Sequence, residues 1–366
     1  MKNKILILSN NSDGLYGFRG ALLRRLAQMG SVAVSVPDNG FFPELEKLGC
    51  TVLETPIDRR GVNPATDLKL LLRYRKLLKS QKPDLVITYT IKPNVYGGLA
   101  CRLAGIPYAV NITGLGTAFQ KQGFLRKLVV FLYKMGLKKA KVVFFENAGN
   151  RQIFIDEKIV PEGKCCLLSG AGVDLDRFVP APYPETETTR FLFIGRVMRE
   201  KGVNELFAAM ERLRSEGYDC TLDVLGEKEE DFSEPIQKYT EAGWLRFRGY
   251  QTDVRPFIEA AHCFCLPSYH EGMANTNLEC AAMARPVITS DIPGCREAVE
   301  EGVSGYLCAV QDAESLYTEM KRFLALTAEE RAEMGRAGRR RMEAVFDKEQ
   351  VVDATVEGLG VSSPGQ

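Results

Sequence analysis

Short apolar runs alternate with helical patterns along the first half of this chain. Uninterrupted apolar runs are typical of strands that are covered on both faces. The stretches between them, such as 20–28 and 68–79, place apolar residues at helical spacing. This alternation predicts a parallel sheet with helices on both of its faces. The predicted strands of this half are Ile5–Leu8, Val32–Val36, Thr51–Leu53, Leu85–Thr88, Tyr108–Ile112, Val142–Phe145 and Cys165–Leu168.

The pattern then stops and begins again after a polar, proline-rich segment at 179–189, which is typical of a linker. The strands predicted after it are Arg190–Ile194, Cys220–Leu225, Arg246–Arg248, Cys263–Leu266, Pro286–Thr289 and Tyr306–Cys308. Because 366 residues exceed one ordinary core, we expect two Rossmann-like domains at 1–178 and 190–345, with a ligand cleft between them. The Gly-, Ser- and Pro-rich tail at 358–366 is predicted to be disordered.

The composition narrows the class of protein. No apolar run approaches the roughly 18 residues of a membrane span, and the run Ile5–Leu8 reads as a first strand, not as a signal peptide. The ten cysteines are scattered without a CxxC pair, which argues against disulfides and metal sites. We therefore expect a cytoplasmic protein.

The small net charge hides a strong asymmetry. Residues 1–180 carry 27 Lys and Arg against 14 Asp and Glu, whereas the remainder carries 21 against 33. No acidic residue lies between Asp84 and Glu146. A solvated basic face explains this pattern, and so does contact with a polyanion such as an anionic membrane, a lipid diphosphate or nucleic acid.

Apolar side chains decide between these polyanions. The basic residues at 126–141 are interleaved with Phe124, Leu125, Leu128, Val129, Phe131 and Leu132. A basic helix with aromatic and aliphatic neighbours favours an interfacial membrane contact over nucleic acid. Packing of the same residues in a core is the alternative.

Two glutamates flank a loop in the second half. The run from Glu271 to Glu279 reads Glu-Gly-Met-Ala-Asn-Thr-Asn-Leu-Glu, and it joins a predicted strand to a predicted helix. In open α/β sheets, ligands bind at the carboxyl ends of the strands. A helix start offers free N–H groups to phosphate, and carboxylates accept hydrogen bonds from sugar hydroxyls. The run therefore predicts a sugar-nucleotide site.

Two cations are predicted at the same edge of the second sheet. Arg196 follows the first strand of this half, and Lys201 opens the next helix. Arg binds a diphosphate as a fork and Lys binds it as a point charge. A solvent-facing position is the alternative for two such residues on a loop.

These motifs resemble the nucleotide-sugar site of the family 4 retaining glycosyltransferases, and the resemblance extends over nearly the whole chain. It rests on Gly195-Arg196 with Lys201-Gly202, on the two glutamates, and on the run 170–178. The runs 88–97, Thr-Tyr-Thr-Ile-Lys-Pro-Asn-Val-Tyr-Gly, and 111–116, Asn-Ile-Thr-Gly-Leu-Gly, are similar to bacterial enzymes that extend polyprenyl-diphosphate-linked sugars.

The resemblance implies a GT-B fold, two facing Rossmann-like domains with the donor in the second and the acceptor in the first. A helix at 346–357 would return to the first domain. Glu279 would bind the ribose hydroxyls of a UDP-sugar, Arg196 and Lys201 would neutralise its diphosphate, and Glu271 would hold hydroxyls of its sugar.

Further contacts are implied in the same way. The donor would also meet Gly14 and Gly17 in a glycine loop, the backbone at Gly272, Met273, Ala274, Asn275 and Thr276, and Tyr250 and His270. The acceptor and the membrane would meet Lys92, Arg126, Lys127 and Lys134.

One departure from the family concerns the catalytic base. Many members carry a histidine after the strand that ends here at Ile112, whereas this chain has Thr113-Gly114. Its two histidines are His262, beside an apolar strand and interpreted as structural, and His270, a candidate for the donor pocket. A retaining transfer does not require this base, because the leaving phosphate can take the acceptor proton.

The predicted reaction is thus the transfer of an N-acetylhexosamine or hexose from a UDP-sugar to a lipid-linked saccharide, at the inner face of the cell membrane. We expect no metal cofactor, although Asp174 and Asp176 match a DxD string, because Lys and Arg can replace Mg²⁺ at a diphosphate. A soluble acceptor and a non-catalytic sugar-nucleotide-binding protein are the alternatives.

Overall fold

The structure, a computed structural model, describes residues 3–58, 63–116, 119 and 123–361. The strands are β1 (Asn3–Leu8), β2 (Gly30–Val36), β3 (Cys50–Glu54), β4 (Leu85–Tyr89), β5 (Tyr108–Ile112), β6 (Val142–Phe145), β7 (Cys165–Leu167), β8 (Thr189–Ile194), β9 (Cys220–Leu225), β10 (Leu245–Gly249), β11 (Cys263–Leu266), β12 (Val287–Ser290) and β13 (Gly305–Cys308). The helices are α1 (Ser12–Met29), α2 (Phe42–Lys47), α3 (Pro64–Gln81), α4 (Gly98–Ala104), α5 (Phe124–Leu137), α6 (Ala148–Asp156), α7 (Val203–Ser215), α8 (Ser233–Glu241), α9 (Arg255–Ala260), α10 (Asn275–Ala282), α11 (Ala313–Leu324), α12 (Ala328–Val345) and α13 (Lys348–Leu359).

Contacts divide the chain into two compact units. The first unit comprises Met1–Ala171 and Lys348–Gln366, and the second comprises Gly172–Asp347. The segment before the predicted linker packs in the second unit, because Val173 donates to the carbonyl of Phe346 at 2.7 Å and Phe178 is buried in that unit's core. The predicted domain limits at 178 and 189 stay predictions.

The first unit is built on a parallel sheet of order β3-β2-β1-β4-β5-β6-β7. Its central strands are buried along their length, as the apolar runs predict. One core on the sheet takes side chains from α1, α2 and α13, and the other takes them from α3, α4, α5 and α6. Helices therefore cover both faces.

The second unit repeats this arrangement on a parallel sheet of order β10-β9-β8-β11-β12-β13. Its core joins the strands to α7, α10, α11 and α12. The two sheets confirm the predicted α/β fold of two Rossmann-like units.

The prediction of a glycine loop after β1 is wrong, because a helix begins there. Asn11 caps α1, since its side-chain oxygen accepts a hydrogen bond from the N–H of Asp13 at 3.1 Å. Gly14 and Gly17 therefore lie in the first two turns of this helix. The N-cap signal of Asn11 outweighs the low helix propensity of the two glycines.

The end of the chain differs in a smaller way. Helix α13 begins at Lys348, not at 346, and runs through Leu359. The first residues of the predicted disordered tail are thus helical, while 362–366 lie outside the described residues.

A buried arginine holds the proline-rich segment to the second unit. The side chain of Arg285 is fully buried, and its guanidinium donates to the carbonyls of Ala181, Pro182, Ile258, Glu259, Met283 and Ala284. Burial lowers the pKa of Arg285. Because these acceptors lie in three separate segments, this one side chain fixes 181–182 against α9 and the end of α10.

His262 fastens the same proline-rich segment. Its Nδ1 accepts the N–H of Arg190 at 3.0 Å, and its Nε2 lies 3.3 Å from the carbonyl of Thr186. The ring packs edge-on against Tyr183. These contacts require the neutral ring with its proton on Nε2, and burial lowers the pKa of His262 to about 4. The structural interpretation of this histidine therefore agrees with its contacts.

Acid is expected to weaken the fold through His262. Its pKa is lower in the folded than in the unfolded chain, so the unfolded chain binds more protons as the pH falls from 6.5 towards 4. Between pH 7 and pH 5, this histidine should lower the free energy of unfolding of the wild-type protein by about 2 kcal/mol. The variant His262→Gln should lack this part of the pH dependence. Urea unfolding of both proteins at the two pH values measures this; equal pH dependence would contradict it.

Helix α10 is packed unusually closely against α12. A Cβ atom at Gly335 would lie 2.1 Å from the carbonyl oxygen of Ala284, just after α10. At Gly338, one turn later, the nearest atom to a Cβ would be Cβ of Ala281 at 3.5 Å, an ordinary contact. The first glycine is thus required by packing, and the second is not.

Substitution of these two glycines is expected to give opposite results. Gly335→Ala should destabilise the protein by about 1–3 kcal/mol, because α12 must move away from α10. Gly338→Ala should be neutral or stabilising by up to about 1 kcal/mol through helix propensity. Thermal unfolding of both variants tests this, and equal effects would show that the close approach is not rigid.

Candidate active site

The candidate site lies where the chain order of the second sheet reverses. Strand β8 pairs with β9 on one side and with β11 on the other, so the connections leave it in opposite directions. The loops that follow β8 and β11 flank this switch point at the carboxyl edge of the sheet, which is where ligands bind in such folds.

An ion pair joins the two loops. The ammonium of Lys201 contacts Oε1 of Glu271, and the hydroxyl of Ser268 donates to the same oxygen at 2.8 Å. Only 18% of the Lys201 side chain and 12% of the Glu271 side chain are exposed. The structure thus brings together two of the predicted catalytic residues and adds Ser268, which the sequence analysis missed.

Two glycines let the backbone segments around this pair approach closely. Gly202 has a left-handed φ of +72°, and a Cβ on it would lie 2.1 Å from the carbonyl oxygen of Pro267. Gly294 has a φ of +89°, and its Cβ would lie 2.7 Å from the carbonyl oxygen of Gly272. Gly294 was missed, although Pro293-Gly294 is a recognisable turn signal.

The start of α10 presents fewer amides than predicted. The N–H of Ala274 donates to the carbonyl of Gly294 at 2.7 Å, and that of Asn277 donates to Ala274 at 2.9 Å. The amides of Asn275 and Thr276 belong to the first turn, which has no intrahelical acceptors. Within the described residues, the buried Oδ1 of Asn275 also has no hydrogen-bond partner.

Glu279 lies one turn inside α10 and is half-buried. The prediction that Glu271 lies in a loop and Glu279 inside the following helix is confirmed.

Arg196 is at the edge of the site. Its guanidinium pairs with Glu229, in the loop after β9, and 54% of its side chain is exposed. It therefore lies next to the Lys201–Glu271 pair in sequence but makes its ion pair with a different loop.

His270 and Tyr269 join the loop after β11 to the loop after β8 and to α7, respectively. His270 Nε2 lies 3.5 Å from a carboxylate oxygen of Glu200, and the hydroxyl of Tyr269 donates to Glu205 at 2.8 Å. Burial, followed by the hydrogen bond to Glu205, raises the pKa of Tyr269 to about 12. Tyr269 and Glu205 were missed because their contact joins residues 64 apart.

Tyr250 follows β10, two strands away from β8 in the sheet. Its side chain is among the exposed large apolar groups, with 61% of the residue accessible. It lies at the same carboxyl edge as the switch point.

The first unit contains a buried ion pair that the sequence analysis missed. Arg19 of α1 contacts Glu146, at the end of β6, and lies 5.4 Å from the ring centre of Tyr89. Burial raises the pKa of Glu146, and Arg19 opposes this shift. Among the described residues, the hydroxyl of Tyr89 has no partner.

The four cations predicted for the acceptor and the membrane differ in their contacts. Lys92 pairs with Asp67 and Arg126 with Glu157, each at 2.7 Å. The other two, Lys127 and Lys134, are exposed on α5. The predicted basic interval thus contains both fixed and solvent-facing charges.

No group of three or more His, Cys, Asp or Glu side chains in residues 3–58, 63–116, 119 and 123–361 is placed to hold a metal. Asp174 instead accepts the N–H of Arg177 at 2.9 Å. None of the helices formed by these residues is long and apolar enough to cross a membrane.

Comparisons with known proteins find matches in both halves of the chain. Residues 188–325 match the family described as glycosyl transferases group 1, and residues 4–147 match the family described as glycosyl transferase 4-like. The N,N'-diacetylbacillosaminyl-diphospho-undecaprenol alpha-1,3-N-acetylgalactosaminyltransferase of Campylobacter jejuni is 28% identical over 332 residues, which cover 86% of this chain and 87% of the relative.

Two further similarities extend the comparison. The UDP-Gal:alpha-D-GlcNAc-diphosphoundecaprenol alpha-1,3-galactosyltransferase of Escherichia coli is 28% identical over 283 residues, 72% of each chain. The solved structure of Anabaena Alr3699/HepE, in complex with UDP and glucose, has a TM-score of 0.81 at 17% identity and covers 98% of this chain and 99% of its own. The two family matches fall in both units, and with these relatives they show that the chain belongs to the GT-B glycosyltransferases of family 4.

Proposed function

We propose that this glycosyltransferase moves a hexose or an N-acetylhexosamine from a UDP-sugar to a polyprenyl-diphosphate-linked saccharide, with retention of configuration. The observation that carries the proposal is the Lys201–Glu271 pair at the switch point of the second sheet. Two relatives whose names specify diphosphoundecaprenol-linked substrates support the acceptor class.

The pair is suited to a sugar diphosphate because its two members serve different parts of that ligand. The ammonium of Lys201 would neutralise the diphosphate, and the carboxylate of Glu271 would accept hydrogen bonds from sugar hydroxyls. Without a donor, each partner holds the other, so neither charge is left alone in a mostly buried position.

The remaining donor contacts follow from position. Glu279 would hold the ribose, with the first-turn amides of Asn275 and Thr276 facing phosphate or sugar. Arg196 would exchange its exposed pair with Glu229 for the diphosphate. Roles of Gly272, Met273, Ala274, Tyr250, His270, Gly14 and Gly17 at the donor stay predictions.

The chemistry requires no histidine base. As the bond between the sugar C1 and the diphosphate oxygen breaks, the acceptor oxygen bonds to C1 from the same face. The acceptor proton passes to the departing phosphate oxygen. Lys201 and Arg196 stabilise the negative charge that develops there, which is commonly the largest catalytic contribution.

Helix α5 is the proposed membrane contact. Its exposed residues include Phe124, Leu125, Leu128 and Phe131, with 82% of Phe124 accessible. Lys127 and Lys134 are exposed on the same helix, which contains no acidic residue. Such a helix binds the interface of an anionic bilayer through apolar burial and charge together, and this supports a location at the inner face of the cell membrane.

Two other functions make different predictions. A transferase with a small soluble acceptor would be indifferent to vesicles and active on a free sugar. A non-catalytic sugar-nucleotide-binding protein would bind UDP without turnover. The exposed apolar side chains of α5 favour the lipid-linked acceptor over both.

Loss of either donor-site charge is expected to reduce transfer strongly while the protein stays folded. Lys201→Ala and Glu279→Ala should each lower kcat/KM by about 100-fold or more. The first variant loses the cation that stabilises the charge developing on the diphosphate, and the second loses the carboxylate that binds the ribose. UDP release measured with a panel of UDP-sugars and a lipid-linked acceptor tests this.

A matched control is Lys238→Ala, which removes an exposed, ion-paired lysine from α8 in the same unit. It should retain normal turnover and a normal melting temperature. Normal turnover by Lys201→Ala would contradict the proposed donor site.

Removal of the apolar side chains of α5 is expected to release the protein from membranes. Phe124→Ser with Phe131→Ser should weaken binding to phosphatidylglycerol vesicles by about tenfold or more, because each phenylalanine loses its apolar burial. Binding of the wild-type protein should also weaken as salt shortens the Debye length from about 30 Å to about 3 Å. Vesicle sedimentation measures both.

The control is Leu167→Ser, which removes an exposed apolar residue from β7 of the same unit. It should bind vesicles like the wild type. Salt-independent binding, or equal loss in the control, would exclude α5 as the membrane contact.

A further inference from the structure

A cavity of about 180 Å³ lies in the first unit, whereas the candidate donor site belongs to the second. Its walls come from the segment after β3, from α3, and from the segment after β4. Its charged lining residues are the cations Lys69, Arg73 and Lys92 and the carboxylates Asp58 and Asp67, beside the apolar Leu70. Because β3 and β4 are parallel strands of one sheet, the cavity opens at the carboxyl edge where ligands bind.

Three cations surround this cavity, and one of them is fixed. Lys92 donates to Oδ1 of Asp67 at 2.7 Å, and the hydroxyl of Tyr96 donates to Oδ2 at 2.9 Å. The side chains of Lys92 and Asp67 are only 11% and 13% exposed. Both carboxylate oxygens are therefore occupied, while the ammonium of Lys92 retains further N–H donors for a ligand.

The other two cations are on α3. Lys69 and Arg73 are four residues apart, so their side chains lie on the same helix face and both line the cavity. Each is exposed. Lys69 can bind a diphosphate as a point charge, and Arg73 can bind it through its planar guanidinium.

The backbone that delivers Lys92 is unusual. Thr90, just after β4, has a φ of +71°, a left-handed conformation that is rare for a β-branched residue. A π-helix, Pro93–Gly97, begins three residues later, and Lys92 is its N-cap residue. Strained backbone and π-helical turns are both common at functional sites. Here they place Lys92 in the cavity wall.

Apolar surface lies directly beside the charges. Leu68 and Leu72, which directly precede Lys69 and Arg73 on α3, are 56% and 52% exposed. Leu103 on the adjacent α4 is 60% exposed. A free phosphate ion gains nothing from exposed leucines, whereas an amphiphile with a diphosphate head and a hydrocarbon chain uses both surfaces.

We propose that this cavity binds the diphosphate of the lipid-linked acceptor, with Lys69, Arg73 and Lys92 on the phosphates and Leu68 and Leu72 against the start of the prenyl chain. The proposal rests on the proposed function, because it assigns the head group of that acceptor to a defined place. It also goes beyond α5, which would bind the bilayer without recognising a diphosphate.

The test is binding to phosphatidylcholine vesicles that contain undecaprenyl diphosphate. Phosphatidylglycerol vesicles of equal surface charge and vesicles with undecaprenol serve as comparisons. We expect the wild-type protein to bind the diphosphate vesicles about tenfold or more tightly than either. A diphosphate offers two adjacent anionic phosphates to the three cations, whereas phosphatidylglycerol offers one and undecaprenol offers none. No preference over phosphatidylglycerol would overturn the proposal.

The matched variants change the same charge on the same helix. Lys69→Gln with Arg73→Gln should lose about tenfold or more of the affinity for diphosphate vesicles. Lys76→Gln with Lys79→Gln removes two exposed cations of α3 that do not line the cavity, and it should keep this affinity. An equal loss of affinity in both double variants would show that only the total charge of α3 matters, and it would overturn the proposal.

Soluble inorganic diphosphate distinguishes the two sources of the head group. It should compete only weakly with the vesicles; if it binds the protein as tightly as the lipid does, the assignment to a lipid is wrong. None of these measurements uses a donor sugar or turnover. Failure of the cavity to bind lipid diphosphate is therefore distinguishable from failure of sugar transfer.

Discussion

The contact between Lys201 and Glu271 is the interaction on which the candidate site depends. It forms because the loops after β8 and β11 touch at the switch point, and Gly202 allows that contact since any side chain there would meet Pro267. Gly294 performs the same task on the far side of the second loop. The charge pair is thus a consequence of close backbone packing, which fixes the positions of both side chains.

The sequence predicted what is local or periodic. Apolar runs identified the strands of both sheets, and the spacing of Glu271 and Glu279 placed one in a loop and the other one turn inside α10. Contacts between distant segments were not predictable. Asn11 caps helix α1 where a glycine loop was predicted, and Arg196 pairs with Glu229 in another loop. The Arg19–Glu146 pair joins residues that are 127 apart in the sequence.

The charge asymmetry acquires a physical interpretation in the first unit. Part of the excess of Lys and Arg is neutralised in pairs such as Lys92–Asp67 and Arg126–Glu157, which serve to position side chains. Other Lys and Arg side chains are exposed on α3 and α5, next to exposed leucines and phenylalanines. Surfaces of this mixed character suit a substrate that is anionic at one end and hydrocarbon at the other.

The measurement that tests the central claim most directly is the anomeric configuration of the product. A UDP-sugar with an α linkage and an undecaprenyl-diphosphate-linked saccharide would be incubated with the protein, and the new glycosidic bond examined by NMR. Our account predicts an α bond to the lipid-linked saccharide, formed by displacement on one face with Lys201 at the leaving phosphate. A β bond, or release of UDP with the saccharide unchanged, would contradict it.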